Sequence, residues 1–234
     1  MILILRGHVR NSFQTNELYL FVQMLTHIYT NVSIYIQTMN ITQNNLSWRS
    51  NIPIISTEIT TNVIYSYFKD LSKYICSIHI YSDQDIQLIG STTHVFINKP
   101  ISVASSRILT GWKNMWWGIH TIIQHIICSN KHSDTEFVIN TRFDLFTQEK
   151  YNYCNLYTIF YLLEQHEFSD TYHIKQNTFL TNKLCTGIDN FYIGNIQTMY
   201  KLSFMFHTQL EYIITKYNHF NHQEFYVYYI NCEI

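Results

Sequence analysis

The sequence has little of what breaks a chain into pieces, with 2 prolines and 6 glycines in 234 residues. No Pro-, Gly- or Ser-rich linker divides it, which favours one compact domain over residues 1–234. Charged residues are also scarce, at 13%, and the net charge is −1. Because there is no basic stripe, the sequence gives no indication of nucleic-acid binding. What the chain does have is 47% hydrophobic residues, which predicts a folded protein with a sizeable core.

The five cysteines are odd in number, widely scattered and without a CxxC pair. We therefore expect buried free thiols in a reducing compartment rather than a disulfide framework. The apolar run 1–5 ends at Arg6 and is too short for a signal peptide or a membrane span. No other window reaches the roughly 20 apolar residues that a spanning helix needs. The sequence thus predicts a cytoplasmic protein with no membrane span.

Hydrophobic patterning predicts an α/β fold. Residues 2–5 indicate a buried strand, 16–29 have apolar residues at helical spacing, and 32–36 alternate as a second strand. A strand, helix and strand in this order imply a parallel sheet. Further along the chain, the pattern predicts helices at 58–71, 112–128 and 198–217 and strands at 74–81 and 137–140. Residues 82–106 are expected to be loop with short structured pieces, and 184–193 a loop-and-strand region. The pattern leaves two segments open: 157–163 is a helix or a strand, and 225–230 is a final helix or a docked strand.

The loop between the first predicted strand and helix, residues 6–13, concentrates features that suit an anion. It offers Arg6, Gly7 and Arg10, and Ser12 as a candidate cap of the helix that follows. A helix N-terminus presents N–H groups and the positive end of a dipole to a phosphate, and arginine binds phosphate oxygens in bidentate fashion. We favour phosphate binding over the alternative that the arginines make exposed ion pairs. The loop has neither P-loop nor dinucleotide glycine spacing.

Arg142 and Asp144 follow the predicted strand 137–140. On an extended backbone, side chains two residues apart point the same way, and ligands of open α/β sheets bind at the carboxyl ends of strands. Asp144 could ligate Mg²⁺ or Mn²⁺, and Arg142 could neutralise a diphosphate. The alternative is a surface salt bridge at a strand end.

Two further segments contain carboxylates that suit sugar chemistry. Asp189 lies between Gly187 and Gly194 and beside aromatic residues, an arrangement that can hold a sugar, although a turn followed by a buried strand explains it as well. Glu224 could act as a general base or cap the final helix. The 12 histidines form no zinc signature.

Taken in order, the segments RGHVRNSF, SIYIQT, SWR, KNMWWGIH, VINTRFD, GIDNFYIGN and HQEF resemble GT-A-like glycosyltransferases of large DNA viruses. The resemblance implies an α/β, Rossmann-like GT-A domain with a mostly parallel central sheet flanked by helices. Residues 1–81 would form the nucleotide-binding part, and 107–234 the metal, sugar and acceptor part. The implied activity is transfer of a hexosyl or pentosyl group from a nucleotide-diphosphate sugar to a glycan or other hydroxyl acceptor, in the host cytoplasm or the virion.

The same resemblance assigns roles to individual residues. Asp144 would meet a metal, Mn²⁺ or Mg²⁺, and Asp189 would contact the sugar or acceptor or serve as a base. If the transfer inverts the anomeric centre, Asp189 and Glu224 are the candidates for the catalytic base. These enzymes usually have Asp-x-Asp where this chain has Arg142-Phe143-Asp144, which leaves open a metal-independent mechanism and a non-catalytic nucleotide- or glycan-binding module. The residues expected to contact the nucleotide or diphosphate are Arg6, Gly7, His8, Arg10, Asn11, Thr38 and Arg142.

The geometric expectation is that five of these side chains converge on one cleft. The cleft would lie at the carboxyl edge of a mostly parallel sheet, where loops that follow neighbouring strands meet. The five residues are Arg6, Arg10, Thr38, Arg142 and Asp144.

Overall fold

A computed structural model describes residues 1–43, 54–92, 106–147, 156–165, 177–179, 191–220 and 223–234. The strands in these ranges are β1 (Ile2–Arg6), β2 (Ser33–Met39), β3 (Ile41–Gln43), β4 (Ile55–Glu58), β5 (Ile75–Tyr81), β6 (Phe137–Arg142), β7 (Thr178–Phe179) and β8 (Phe191–Asn195). The α-helices are α1 (Glu17–Ile28), α2 (Thr61–Phe68), α3 (Ser106–Cys128), α4 (Leu156–Gln165), α5 (Ile196–Lys216) and α6 (Gln223–Glu233). Short 3-10 turns lie at Ser12–Gln14, Lys69–Tyr74, Asp83–Asp85 and Phe143–Phe146.

A six-stranded sheet in the order β5-β2-β1-β6-β8-β7 forms the centre of the protein. Strands β5, β2, β1 and β6 run parallel to one another, and β8 and β7 continue the sheet in antiparallel fashion. Strands β3 and β4 form a separate antiparallel pair. The expected α/β fold with a mostly parallel sheet flanked by helices is confirmed.

The strand order reverses at β1. The chain builds the sheet from β1 to β2 to β5 in one direction, and then places β6 on the other side of β1. In doubly wound sheets the crevice at such a reversal, at the carboxyl ends of the strands, is where ligands bind. Here that crevice lies between the ends of β1 and β6.

Helices cover both faces of the sheet, and each face has its own hydrophobic cluster. Because side chains alternate along a strand, Ile2 and Ile4 of β1 face α3, α5 and α6, while Leu3 and Leu5 face α1, α2 and α4. Burial on both faces explains why β1 has a continuous apolar run. The first cluster is rich in aromatic residues, including the stacked rings of Trp116 and Phe206.

Several sequence-based boundaries are wrong. The helix expected at 58–71 starts only at Thr61, because Glu58 still belongs to β4 and the Thr60 hydroxyl accepts a hydrogen bond from the Val63 N–H, 3.3 Å. Such an interaction fixes a helix start. The helix ends at Phe68, since Lys69 has a φ of 50°.

Helix α3 begins at Ser106 rather than at Trp112. Of the segment 82–106, the described residues 82–92 contain a 3-10 turn at Asp83–Asp85, and residues 93–105 lie outside the described ranges. The ambiguous segments 157–163 and 225–230 are both helical, as parts of α4 and α6. None of the helices in the described part of the chain is both long enough and apolar enough to cross a membrane.

Two predictions about individual side chains also fail. Ser12 does not cap α1: it lies in a separate 3-10 turn, and the N-cap position of α1 is Asn16, whose side chain makes no capping hydrogen bond. The three described cysteines, Cys76, Cys128 and Cys232, are exposed rather than buried.

Candidate functional site

Arg6 and Arg142 end the two strands that flank the crevice, and they are register partners in the parallel pair of β1 and β6. Arg6 is 5% exposed, and its Nε donates to the Asn140 Oδ1 at 2.6 Å. Asn140 is itself buried and donates from Nδ2 to the Tyr192 hydroxyl at 2.9 Å. The Arg6 guanidinium also lies 5.8 Å from the centroid of the Tyr192 ring. Arg6 is thus a buried cation held in place by polar neighbours on two adjacent strands.

The loop after β1 is shaped by two residues with left-handed backbone conformations. Gly7 has a φ of 85°, and its N–H donates to the Gln37 carbonyl at 3.0 Å. Arg10 has a φ of 51°, and its N–H donates to the Thr42 carbonyl at 2.9 Å. A non-glycine residue in this region is uncommon and strained. The surrounding contacts therefore hold Arg10 in a conformation that its own backbone does not favour.

Asp144 joins the two loops. Strand β6 ends at Arg142, and the following 3-10 turn brings the Asp144 carboxylate back against the Arg142 side chain. The Arg142 Nε donates to Asp144 Oδ1 at 2.9 Å, and its Nη2 donates to Oδ2 at 2.8 Å. The Arg10 Nη1 donates to the same Oδ2. The contact comes from a tight turn, not from the extended backbone that the sequence suggested.

Exposure differs sharply within this group, which we call the arginine cluster (Arg6, Arg10, Arg142 and Asp144). The Asp144 side chain is 1% exposed, whereas the side chains of Arg10 and Arg142 are 25% and 21% exposed. The carboxylate therefore lies behind two guanidinium groups that reach solvent. The structure brings together four of the five residues expected to converge.

His8 lies in the same loop and is held neutral. Burial, and then the positive charges of Arg10 and Arg142, lower the pKa of His8 from 6.5 to about 4, against a smaller opposing effect of Asp144. Its Nε2 is buried and has no hydrogen-bond partner among the residues that the structure describes. The surroundings of His8 therefore disfavour its protonation and, with it, an additional positive charge at this site.

The remaining predicted site residues are dispersed. Thr38 is fully buried and donates from its hydroxyl to the Met39 carbonyl, 3.4 Å; strand alternation places it with Ile36 on the sheet face opposite Arg6. Asn11 is exposed at the start of the 3-10 turn. Glu224 lies in the first turn of α6, where a carboxylate complements the helix dipole. Asp189 lies outside the described residues.

The donor set around Asp144 does not fit a divalent cation. Both carboxylate oxygens accept hydrogen bonds from guanidinium groups, and Mg²⁺ and Mn²⁺ need several oxygen ligands. Over the described ranges, no group of three or more His, Cys, Asp or Glu side chains could hold a metal ion. The assignment of Asp144 as a metal ligand stays a prediction that this arrangement does not support.

Sequence reasoning missed Asn140 and Tyr192 as parts of the site. A signal for Asn140 was present, because it lies two residues before Arg142 and so shares its face of β6. Tyr192 had no comparable signal, since its position depends on the pairing of β8 with β6, in which Tyr192 is the register partner of Asn140.

Comparison with known proteins adds no relative. The chain matches no family model, no curated protein and no solved structure. The fold, the arginine cluster and the resemblance of the sequence segments are therefore the basis for the functional proposal.

Proposed function

We propose that the protein is a glycosyltransferase that moves a sugar from a nucleotide-diphosphate sugar to a hydroxyl acceptor. The observation that carries the proposal is the meeting of Arg6, Arg10 and Arg142 at the point where the strand order of a mostly parallel sheet reverses. Such crevices bind nucleotide ligands in many α/β proteins. The resemblance of the ordered sequence segments to GT-A-like glycosyltransferases supports the same activity.

The chemistry of the transfer agrees with a cationic site. As the bond between sugar and diphosphate breaks, negative charge develops on the leaving nucleoside diphosphate. Fixed positive groups that face this charge lower the barrier, because they need no reorganisation during the reaction. Arg10 and Arg142 are fixed by Asp144, and Arg6 is fixed by Asn140. The cluster is therefore preorganised for a diphosphate.

An inverting transfer also needs a base for the acceptor hydroxyl. Asp189 and Glu224 are the candidates that the sequence offers. Glu224 belongs to α6, whose Tyr226 packs on Trp112 in the aromatic layer beneath α3. Asp189 precedes β8 in the sequence, and β8 carries Tyr192, whose ring lies beside Arg6 of the cluster. We therefore rank Asp189 first.

The second candidate function is a nucleotide- or glycan-binding module without catalysis. It is favoured by Arg142, which occupies the position where the resembling enzymes have a carboxylate. Such a module would bind a nucleotide diphosphate at the arginine cluster and leave a nucleotide sugar intact.

Hydrolysis of the donor separates the two functions. The purified protein is incubated with a panel of uridine-, guanosine-, cytidine- and thymidine-diphosphate sugars, and the release of nucleoside diphosphate is measured. We expect release from at least one donor, and Arg142→Gln should reduce it by about a hundredfold, as loss of one preorganised donor does in other enzymes.

The matched control is Lys131→Gln, which removes one positive charge from an exposed side chain at the amino edge of β6 and should leave the rate unchanged. Saturable binding of a nucleotide sugar with no release from any donor would instead establish the binding module. No binding and no release would refute both functions.

A further inference from the structure

Asp144 lies behind two arginines, and this arrangement bears on whether arginine side chains or a metal ion neutralise the charge of the diphosphate. We propose that the arginine cluster binds a diphosphate without a divalent cation, and that Asp144 is a positioning residue for Arg10 and Arg142 rather than a metal ligand. This inference rests on the proposed function for the identity of the ligand, and it replaces the metal that the sequence resemblance implies.

Accessibility is the first argument. The side chains of Arg10 and Arg142 are 25% and 21% exposed, while Asp144 is 1% exposed. An ion that arrives from solvent therefore meets guanidinium groups before it can reach the carboxylate. An anion is attracted at that point, and a metal cation is repelled.

Hydrogen bonding to the carboxylate is the second argument. Asp144 Oδ1 accepts from the Arg142 Nε, and Oδ2 accepts from the Arg142 Nη2 and from Arg10. A metal ion bound to either oxygen would have to displace a guanidinium group. Arginine does not lose its proton in proteins, so the displaced cation would remain beside the metal and repel it.

Charge balance is the third argument. Within the cluster, three guanidinium groups against one carboxylate leave an excess of two positive charges. A diphosphate, which is a multiply charged anion, matches this excess. The same charges act on His8, whose pKa is lowered first by burial and then by Arg10 and Arg142. A divalent cation would be disfavoured by the same charges.

The role left to Asp144 is to hold the two arginines at a fixed separation. It contacts Arg10, in the loop after β1, and Arg142, the last residue of β6, so it links the two sides of the crevice. Arginines fixed in this way lose less conformational freedom when a ligand binds than mobile ones would.

Calorimetry with inorganic pyrophosphate tests the inference without requiring the correct donor sugar. In EDTA, wild-type protein should bind pyrophosphate saturably, and Arg10→Gln and Arg142→Gln should each weaken binding by about tenfold or more, as the loss of a charge-assisted hydrogen bond does. Lys131→Gln should bind as the wild type does.

A second arm compares wild type with Asp144→Asn in the presence and absence of Mn²⁺. Chelation of pyrophosphate by Mn²⁺ in solution lowers the concentration of free pyrophosphate equally for both proteins, so a strengthening of binding by Mn²⁺ in wild type alone would indicate a metal bound by Asp144. We expect the same Mn²⁺ effect in both.

Binding that is absent in EDTA would overturn the inference, whether or not Mn²⁺ restores it. Strengthening of binding by Mn²⁺ that is about tenfold or more in wild type and lost in Asp144→Asn would also overturn it. Binding in EDTA without hydrolysis of any nucleotide sugar would instead refute the proposed transferase while the metal-free anion site stands.

Discussion

Arg6 and Arg142 occupy the same register position on adjacent parallel strands, so two permanent cations lie side by side at the carboxyl edge of the sheet. Like charges opposite one another destabilise a sheet unless other groups compensate. Each arginine has its own compensating partner: Asn140 accepts a hydrogen bond from Arg6, and Asp144 forms a bidentate ion pair with Arg142. At this edge of the sheet, the repulsion between Arg6 and Arg142 is therefore offset by the polar groups that hold each side chain in place.

Removing both arginines that contact Asp144 should destabilise the fold. The Arg10→Gln/Arg142→Gln double variant leaves a carboxylate that is 1% exposed without its two cations, at a cost of about 3 kcal/mol or more. We expect urea denaturation to show this loss in the free energy of unfolding. Adding Asp144→Asn to the double variant should restore part of it, because the buried charge is then gone. A triple variant less stable than the double variant would contradict this account.

Protonation of His8 should make stability depend on pH. The pKa of His8 is about 4 in the folded protein, below its ordinary value of 6.5. Between these values the unfolded chain takes up a proton that the folded chain does not, so stability is fully present above about pH 6.5 and is lost as pH falls towards 4. The separation corresponds to about 3 kcal/mol.

The contribution of His8 is isolated by comparing wild type with His8→Asn in urea denaturation at several pH values. Other histidines titrate in both proteins: the pKa of His120 is also lowered to about 4, first by burial and then by His207. The loss of stability between pH 7 and pH 4.5 should be smaller in His8→Asn. Parallel curves would show that His8 does not contribute.

Alanine at Gly7 should destabilise the arginine loop through the backbone alone. The φ of Gly7 is 85°, and an added Cβ would meet nothing within 4 Å, so steric contact with neighbours is not the cause. A left-handed conformation costs an L-residue about 1–2 kcal/mol. Gly118→Ala in α3 is the matched control: its Cβ would contact Gln37 Oε1 at 3.6 Å, an ordinary distance, and alanine favours a helix by roughly 1 kcal/mol. Thermal unfolding should move in opposite directions for the two variants.

Asn140 should matter more than the hydroxyl of Tyr192. Asn140→Ala removes the acceptor of Arg6 and the donor to Tyr192 and leaves buried polar groups without these partners, which costs about 2–3 kcal/mol. Tyr192→Phe removes the hydroxyl that accepts from Asn140 and that also hydrogen-bonds with Arg6, at about 1 kcal/mol for each bond. Urea denaturation of both single variants and the double variant measures the two costs. Equal losses in the two single variants would show that the Asn140 amide contributes no more to stability than the Tyr192 hydroxyl.

The four parallel strands could be predicted as strands, and the strand, helix and strand at the start of the chain predicted a parallel sheet, but the order of the strands in the sheet was not predicted. Strand β1 and most of β6 produce apolar runs because they are buried on both faces, whereas β2 shows an alternating pattern and the edge strand β5 is only partly buried. The error at α2 has a local cause, since a strand ends at Glu58 only two residues before the Thr60 cap. Periodicity alone cannot separate a strand end from the first turn of a helix.

The candidate site was predictable to the extent that it lies at strand ends. Arg6 and Arg142 could be placed at the same edge because parallel strands share their direction. The contacts of Asp144 were not predictable in detail, because they depend on a 3-10 turn that folds the carboxylate back onto Arg142. Thr38 was misplaced by one face, since a strand residue next to Gln37 alternates to the opposite side.

The central position of β1 also has a consequence for folding. Its two neighbours are β2, which follows within the first 39 residues, and β6, which begins at Phe137. During synthesis, one edge of β1 therefore stays open until most of the chain has been made, and open edges are prone to wrong pairing. The contacts between Arg10 and Asp144 span 134 positions, which makes their formation a late step. Assembly of the anion site is thus coupled to completion of the sheet, and a truncated chain that ends before β6 would display the arginine loop without its carboxylate partner.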